Sequence, residues 1–180
     1  LHSIVANDGL VLHGVIYEPE NKTETALIHV HGMGGNFYEN GFLKNIAETL
    51  TNNGIAFCVF NNRGNGFITE FNKITNGKKD YTRIGNSLER FEDCLIDIKA
   101  YFDFLKEEGY KNIHLSGHSL GAPKAAYYCS QTETEKLSSV IFLSPSDMYG
   151  LVKEEGERYD EDILLAKEMI KRGKGGELMS

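Results

Sequence analysis

Apolar-rich stretches at Ser3 to Ala6 and Leu10 to Tyr17 flank Asn7-Asp8-Gly9, a turn sequence suited to positive φ, so the pattern predicts an opening β-hairpin. The short apolar run Ala26 to Val30 reads as a buried strand and ends in His31-Gly32-Met33-Gly34-Gly35. Leu43, Ile46, Ala47 and Leu50 then recur on one helical face, and Gly54 stops that helix. A second buried-type strand is expected over Ile55 to Phe60, closing on Asn61-Asn62-Arg63-Gly64-Asn65-Gly66. Phe67 to Ser87 is polar and reads as a long irregular connection, with Lys78-Lys79 a solvated basic pair in a loop.

From Leu88 onward, Phe91, Leu95, Ile98, Phe102 and Leu105 recur at three- and four-residue steps, which predicts a helix of about five turns ended by Gly109. A strand over Asn112 to Ser116, a helix from Leu120 to about Gln131 and a strand over Val140 to Leu143 follow. Strands alternate with helices at spacings that require crossover connections. The expected architecture is therefore α/β, a mostly parallel sheet with helices on both faces. From Met148 the chain turns charged, with one helical candidate at Glu161 to Arg172 whose apolar side is Ile163, Ala166, Met169 and Ile170. This divides the chain into a core over 1–147 and an added, lid-like helical segment over 148–180.

Composition narrows the class. The 180 residues are 41% hydrophobic and 25% charged, in the range of folded globular domains rather than disordered chains. The net charge of −7 disfavours nucleic acid and anionic membrane surfaces as partners. Cys58, Cys94 and Cys129 are widely spaced with no Cys-x-x-Cys pair, so neither zinc nor thiol redox chemistry is indicated. No apolar run approaches the ~20 residues needed to span a bilayer, and a cytoplasmic setting is expected. His29 and His31 alternate along one strand without a third ligand at suitable spacing, so no metal site is predicted. No dinucleotide-binding glycine pattern or P-loop occurs, and no cofactor is implied.

Gly117-His118-Ser119-Leu120-Gly121 lies directly between a predicted strand and a predicted helix. A turn this tight forces the serine into a strained conformation, and glycine on both sides removes side chains that would collide. The Ser119 hydroxyl would stand at a helix N-terminus, where the free amides of Leu120 and Gly121 favour developing negative charge. With His31-Gly32-Met33-Gly34-Gly35 and Asn61-x-Arg63-Gly64-x-Gly66, in that order along the chain, the sequence resembles the α/β-hydrolase superfamily, in its serine esterase, lipase and peptidase branches. The resemblance runs from the opening hairpin to the sixth strand at Val140 to Leu143, and the remainder resembles the start of a lid.

That resemblance implies Ser119 as nucleophile, the backbone amides of Met33 and Leu120 as an oxyanion hole, and a small-molecule acyl substrate: a carboxylic ester, thioester or amide. It implies Arg63 as a structural brace. The superfamily also places an acid and a histidine after the nucleophile, and no histidine follows His118 here. His118 itself is expected to be structural, since neighbours on a tight turn point apart. Asp147, after the sixth strand, stays unassigned. The sequence is thus expected to be an excerpt of a longer protein whose base lies beyond Ser180. The alternatives are a catalytically incomplete binding or scaffold module, and an acyltransferase using the same nucleophile.

Overall fold

In the computed structural model, which describes residues 1–131, 137–154 and 158–177, the opening hairpin forms from β1 (His2–Val5) and β2 (Val11–Tyr17). Its strands pair antiparallel from His2 opposite Gly14 to Val5 opposite Val11, and Gly9 takes the positive φ that the turn demands. Next come β3 (Thr25–Val30), α1 (Gly41–Asn52) and β4 (Ala56–Phe60). The helix α2 (Cys94–Glu107), β7 (Asn112–His118), α3 (Gly121–Gln131) and β8 (Ser139–Leu143) complete the layered part.

Six strands form one sheet in the order β1-β2-β4-β3-β7-β8. Pairs β4-β3, β3-β7 and β7-β8 are parallel, while the opening hairpin joins antiparallel through β2 and β4. Both faces carry helices, because the strand residues alternate between two apolar clusters. Ala26, Ile28 and Val30 share one cluster with Ile98, Phe102, Leu105, Ala125 and Tyr128 of α2 and α3. Leu27, Phe57 and Val59 face the other way, onto Leu43 and Ala47 of α1. Strands buried on both faces read as continuous apolar runs, as β3 and β4 do.

Three expectations are corrected. The stretch from Phe67 to Ser87 is not irregular: it contains the antiparallel hairpin β5 (Glu70–Thr75) and β6 (Lys78–Arg83). Asn76 (φ 52°) and Gly77 (φ 75°) form its two-residue turn, both in the left-handed conformation that matches strand twist. Lys78 and Lys79 therefore lie on a strand, though exposed as expected. The helix after Leu88 starts later than its periodicity suggests. Leu88 and Glu89 close a turn on the Gly85 carbonyl, Arg90 is extended, and a 3-10 turn at Phe91–Asp93 leads into α2.

By its contacts the chain divides into two compact units, Leu1–Ser146 and Asp147–Ser180. The second contains α4 (Met148–Glu154) and α5 (Arg158–Lys171). Asp147 starts α4, its Oδ1 accepting the Gly150 amide at 2.8 Å. On α5, Ala166 and Met169 are half-buried while Ile163 and Ile170 are exposed. Within the expected 148–180 segment, residues 155–157 and 178–180 lie outside the described residues.

Candidate active site

The sheet order places β3 between β4 and β7, and the connections leaving β3 and β7 run to opposite sides. In open α/β sheets such a switch point, at the carboxyl edge of the two strands, is the position at which ligands bind. Ser119 sits at that edge, in the two-residue turn with Leu120 between the end of β7 and the start of α3. Its φ is 52°, a left-handed conformation costly for a residue with a Cβ, and here a half-buried one.

The flanking glycines have specific reasons. A Cβ on Gly117 would meet the Gly121 carbonyl, and a Cβ on Gly121 would meet the carbonyl oxygens of Val30 and His31. Residues with side chains at these positions would push α3 away from β7 and β3, and Ser119 with it. The carbonyl of Ser119 accepts the Ala122 amide at 3.0 Å, the first turn of α3. Leu120 is buried and Met33 is exposed in the loop after β3. Among the described residues, neither the Leu120 nor the Met33 amide has a hydrogen-bond partner. Gly32 abuts Ser119 directly.

The loop after β3 is held by the loop after β4, mostly through asparagines. The Asn61 Oδ1 accepts the Phe37 amide at 3.0 Å, the Asn65 Nδ2 donates to Gly35 O at 2.9 Å, and the Gly66 amide donates to Gly34 O at 3.2 Å. The Asn62 amide donates to His31 Nε2 at 3.0 Å, and His31 Nδ1 donates to Gly32 O at 2.8 Å. That pairing sets one neutral tautomer. Burial pushes His31 down to about 3.

His29 points to the α1 face, its Nδ1 2.9 Å from the Ser116 hydroxyl and its ring near Phe42 and Phe57. Burial and the nearby His118 push it down to about 4. The two histidines thus pack and brace. His118 lies with its ring 5.0 Å from Phe42. Among the described residues no group of three or more His, Cys, Asp or Glu is placed to hold a metal ion.

Two buried ion pairs underlie these loops. Arg63, only 4% exposed, makes a two-pronged contact with Asp97 at 2.7 and 3.0 Å and reaches Asp8 and Asp93 at 3.2 Å each. Its backbone amide also donates to Asp97. Burial pushes the Asp97 carboxyl up, and the guanidinium opposes that shift. Arg63 is the expected brace and ties the loop after β4 to α2. Lys124 of α3 pairs with Glu89 at 2.7 Å, both nearly inaccessible.

A residue that sequence reasoning passed over completes the surroundings. The Ser146 Oγ lies 3.0 Å from the Ser119 Oγ. No spacing signal joins residues 27 apart; the contact arises because β8 runs parallel to β7 and ends beside it.

The family described as serine aminopeptidase, S33, matches residues 21–152. The chain belongs to this family. Membership places it in the α/β-hydrolase superfamily, with the mostly parallel sheet described above. Similar solved structures include Est1E from Butyrivibrio proteoclasticus with bound ferulic acid (TM-score 0.66, 23% identity, covering 87% of this chain and 57% of that one). Others are the Pyrococcus furiosus esterase Pf2001 (TM-score 0.64, 21% identity, 88% and 53%) and the α/β hydrolase GrgF from Penicillium sp. sh18 (TM-score 0.64, 18% identity, 96% and 53%). At these identities the likeness concerns the fold. The chain spans a little over half the length of these structures. No curated protein matches it significantly. Among the described residues no helix is long and apolar enough to cross a membrane.

Proposed function

We propose that the protein is a serine hydrolase that cleaves a carboxylic ester, thioester or amide of modest size through an acyl-enzyme on Ser119. The observation that carries this reading is the strained Ser119 at the carboxyl edge of the sheet, with the unpartnered amide of Leu120 next to it in the chain and that of Met33 next to Gly32, which abuts it. Family membership and esterases of the same fold support the reaction class.

In this mechanism the Ser119 Oγ attacks the substrate carbonyl carbon while its proton passes to a base. The carbonyl oxygen, now negative, accepts hydrogen bonds from the Met33 amide in the loop after β3 and the Leu120 amide at the N-terminal end of α3, where the helix dipole adds to the effect. Collapse expels the leaving group with a proton, and water then releases the acid from Ser119. None of the six histidines of the sequence suits the role of base: His29 and His31 are buried and neutral, and His2, His13 and His114 lie on β1, β2 and the body of β7. His118, beside Ser119, packs on Phe42 instead. The base in this reading is a histidine outside residues 1–180. A cytoplasmic setting belongs to the same proposal, supported by the free thiols Cys58, Cys94 and Cys129.

The test is the intact mass of the gene's natural product before and after a fluorophosphonate probe. One adduct that Ser119→Ala abolishes is expected. An unlabelled wild-type protein overturns the reading and leaves a binding module of the same fold.

A further inference from the structure

The end of β8 grips Ser119 at three points. The Ser119 amide donates to Leu143 O at 3.1 Å, the Ser146 amide donates to Ser119 O at 3.3 Å, and the two hydroxyl oxygens stand 3.0 Å apart. The intervening Ser144 holds a φ of 43°, like Ser119 a non-glycine residue in the left-handed region. Strain of this kind persists only where the surroundings over-determine it, and Pro145 fixes the step that follows. The segment from Leu143 to Ser146 thus turns back on itself, and the turn delivers one hydroxyl to the Ser119 Oγ.

We propose that Ser146 is a positioning residue for the Ser119 nucleophile. This rests on the acyl-enzyme reading and adds to it a residue from a different strand end. A free serine Oγ distributes over three staggered rotamers. Pairing with Ser146 selects one, so the attacking oxygen is already aimed before substrate arrives. When Ser119 passes its proton to the base, Ser146 keeps its own and donates a hydrogen bond to the oxygen as negative charge gathers there, a bond stronger than the neutral one in the resting site. Ser146 forms no covalent bond in the reaction. The backbone hydrogen bonds from Leu143 and Ser146 hold the main chain of Ser119 and do not need the Ser146 hydroxyl, so the hydroxyl can be removed while the turn remains.

The experiment is time-dependent labelling by a fluorophosphonate on the natural gene product, resolved into the maximal inactivation rate and the half-saturating probe concentration, for wild type, Ser146→Ala and Ser146→Thr. Thermal melting is followed alongside. Loss of one hydrogen bond predicts a maximal rate about three- to tenfold lower in Ser146→Ala, with half-saturation and melting temperature unchanged. Ser146→Thr, which keeps a hydroxyl, recovers most of the rate. A wild-type rate in Ser146→Ala overturns the proposal, as does a loss in which half-saturation and melting move together, the mark of a merely structural residue. Both outcomes leave the nucleophile itself intact. A wild type that does not label sinks the acyl-enzyme reading, and this proposal falls with it.

Discussion

A Cβ on Gly32 would stand 2.9 Å from the Cβ of Ser119, closer than such atoms are found in folded proteins. The glycine loop after β3 and the turn after β7 are thus in direct backbone-to-side-chain contact, and one cannot move without the other. Gly32→Ala forces the two apart. Overpacking of this kind costs about 1–3 kcal/mol, and here it falls on the candidate nucleophile. Expected are a melting temperature lowered by several degrees and probe labelling at Ser119 slowed at least tenfold; unchanged labelling of a folded Gly32→Ala protein would contradict the geometry.

Asp97 and Arg63 form a buried, doubly hydrogen-bonded pair. Removing Asp97 takes away the only fully buried carboxylate among the three that Arg63 meets and leaves the guanidinium to the partly exposed Asp8 and Asp93, at a cost of about 3 kcal/mol, the low end for breaking a buried pair. Asp97→Ala is expected to lose about that much in urea denaturation. Lys111 and Glu24 also pair at 2.6 Å but on the surface, where such contacts are worth under about 1 kcal/mol. Lys111→Ala is therefore the control, and similar losses in the two variants would show that burial does not set the difference.

His29 and His31 are held down to about 4 and about 3 in the folded chain, against 6.5 when unfolded. The unfolded chain therefore binds more protons below pH 6.5, so their contribution to stability is complete above that pH. It declines as the pH falls through 6.5, and continues to decline until the folded-state values are passed. The slope approaches about 1.4 kcal/mol per pH unit for each histidine. Denaturation midpoints measured from pH 7.5 to 5 should fall accordingly. His31→Gln, which retains an acceptor for the Asn62 amide, should make the decline shallower.

Gly77 occupies the second position of the β5-β6 turn with φ 75° and open space around its Cα. The cost of Gly77→Ala is then conformational alone, roughly 1 kcal/mol. Amide exchange should quicken in residues 70–83 and stay as it was at β3 and β7. Uniform quickening across the sheet would mean that the hairpin is a cooperative part of the core.

The parts of the fold legible in the sequence are those whose cause is local. Gly117 to Gly121 declares its turn through a short string between an apolar run and a small-residue helix, and the order of the three glycine motifs points to the family. The hairpin at 70–83 carried its signal in Asn76-Gly77, but only Phe71 of its flanks is buried, so the alternation that normally accompanies such a turn was missing. The start of α2 was read too early because Leu88 falls in phase with a stripe it does not join. Longer-range pairings left no trace in spacing. Arg63 collects three carboxylates from two distant segments, and Ser146 reaches Ser119 only through the register that sets Leu143 opposite His118.

The central position of β3 also sets an order of events during synthesis. Its partner on one side, β4, follows within about thirty residues, but His29 waits for Ser116, 87 residues later. At roughly 5–20 residues per second, that interval lasts about 4–17 s on the ribosome. Through those seconds one edge of β3 is an open apolar strand, a template for aggregation or for a chaperone. The grip on Ser119 closes last, when Leu143 to Ser146 emerge, so the nascent chain carries its candidate nucleophile without the means to aim it.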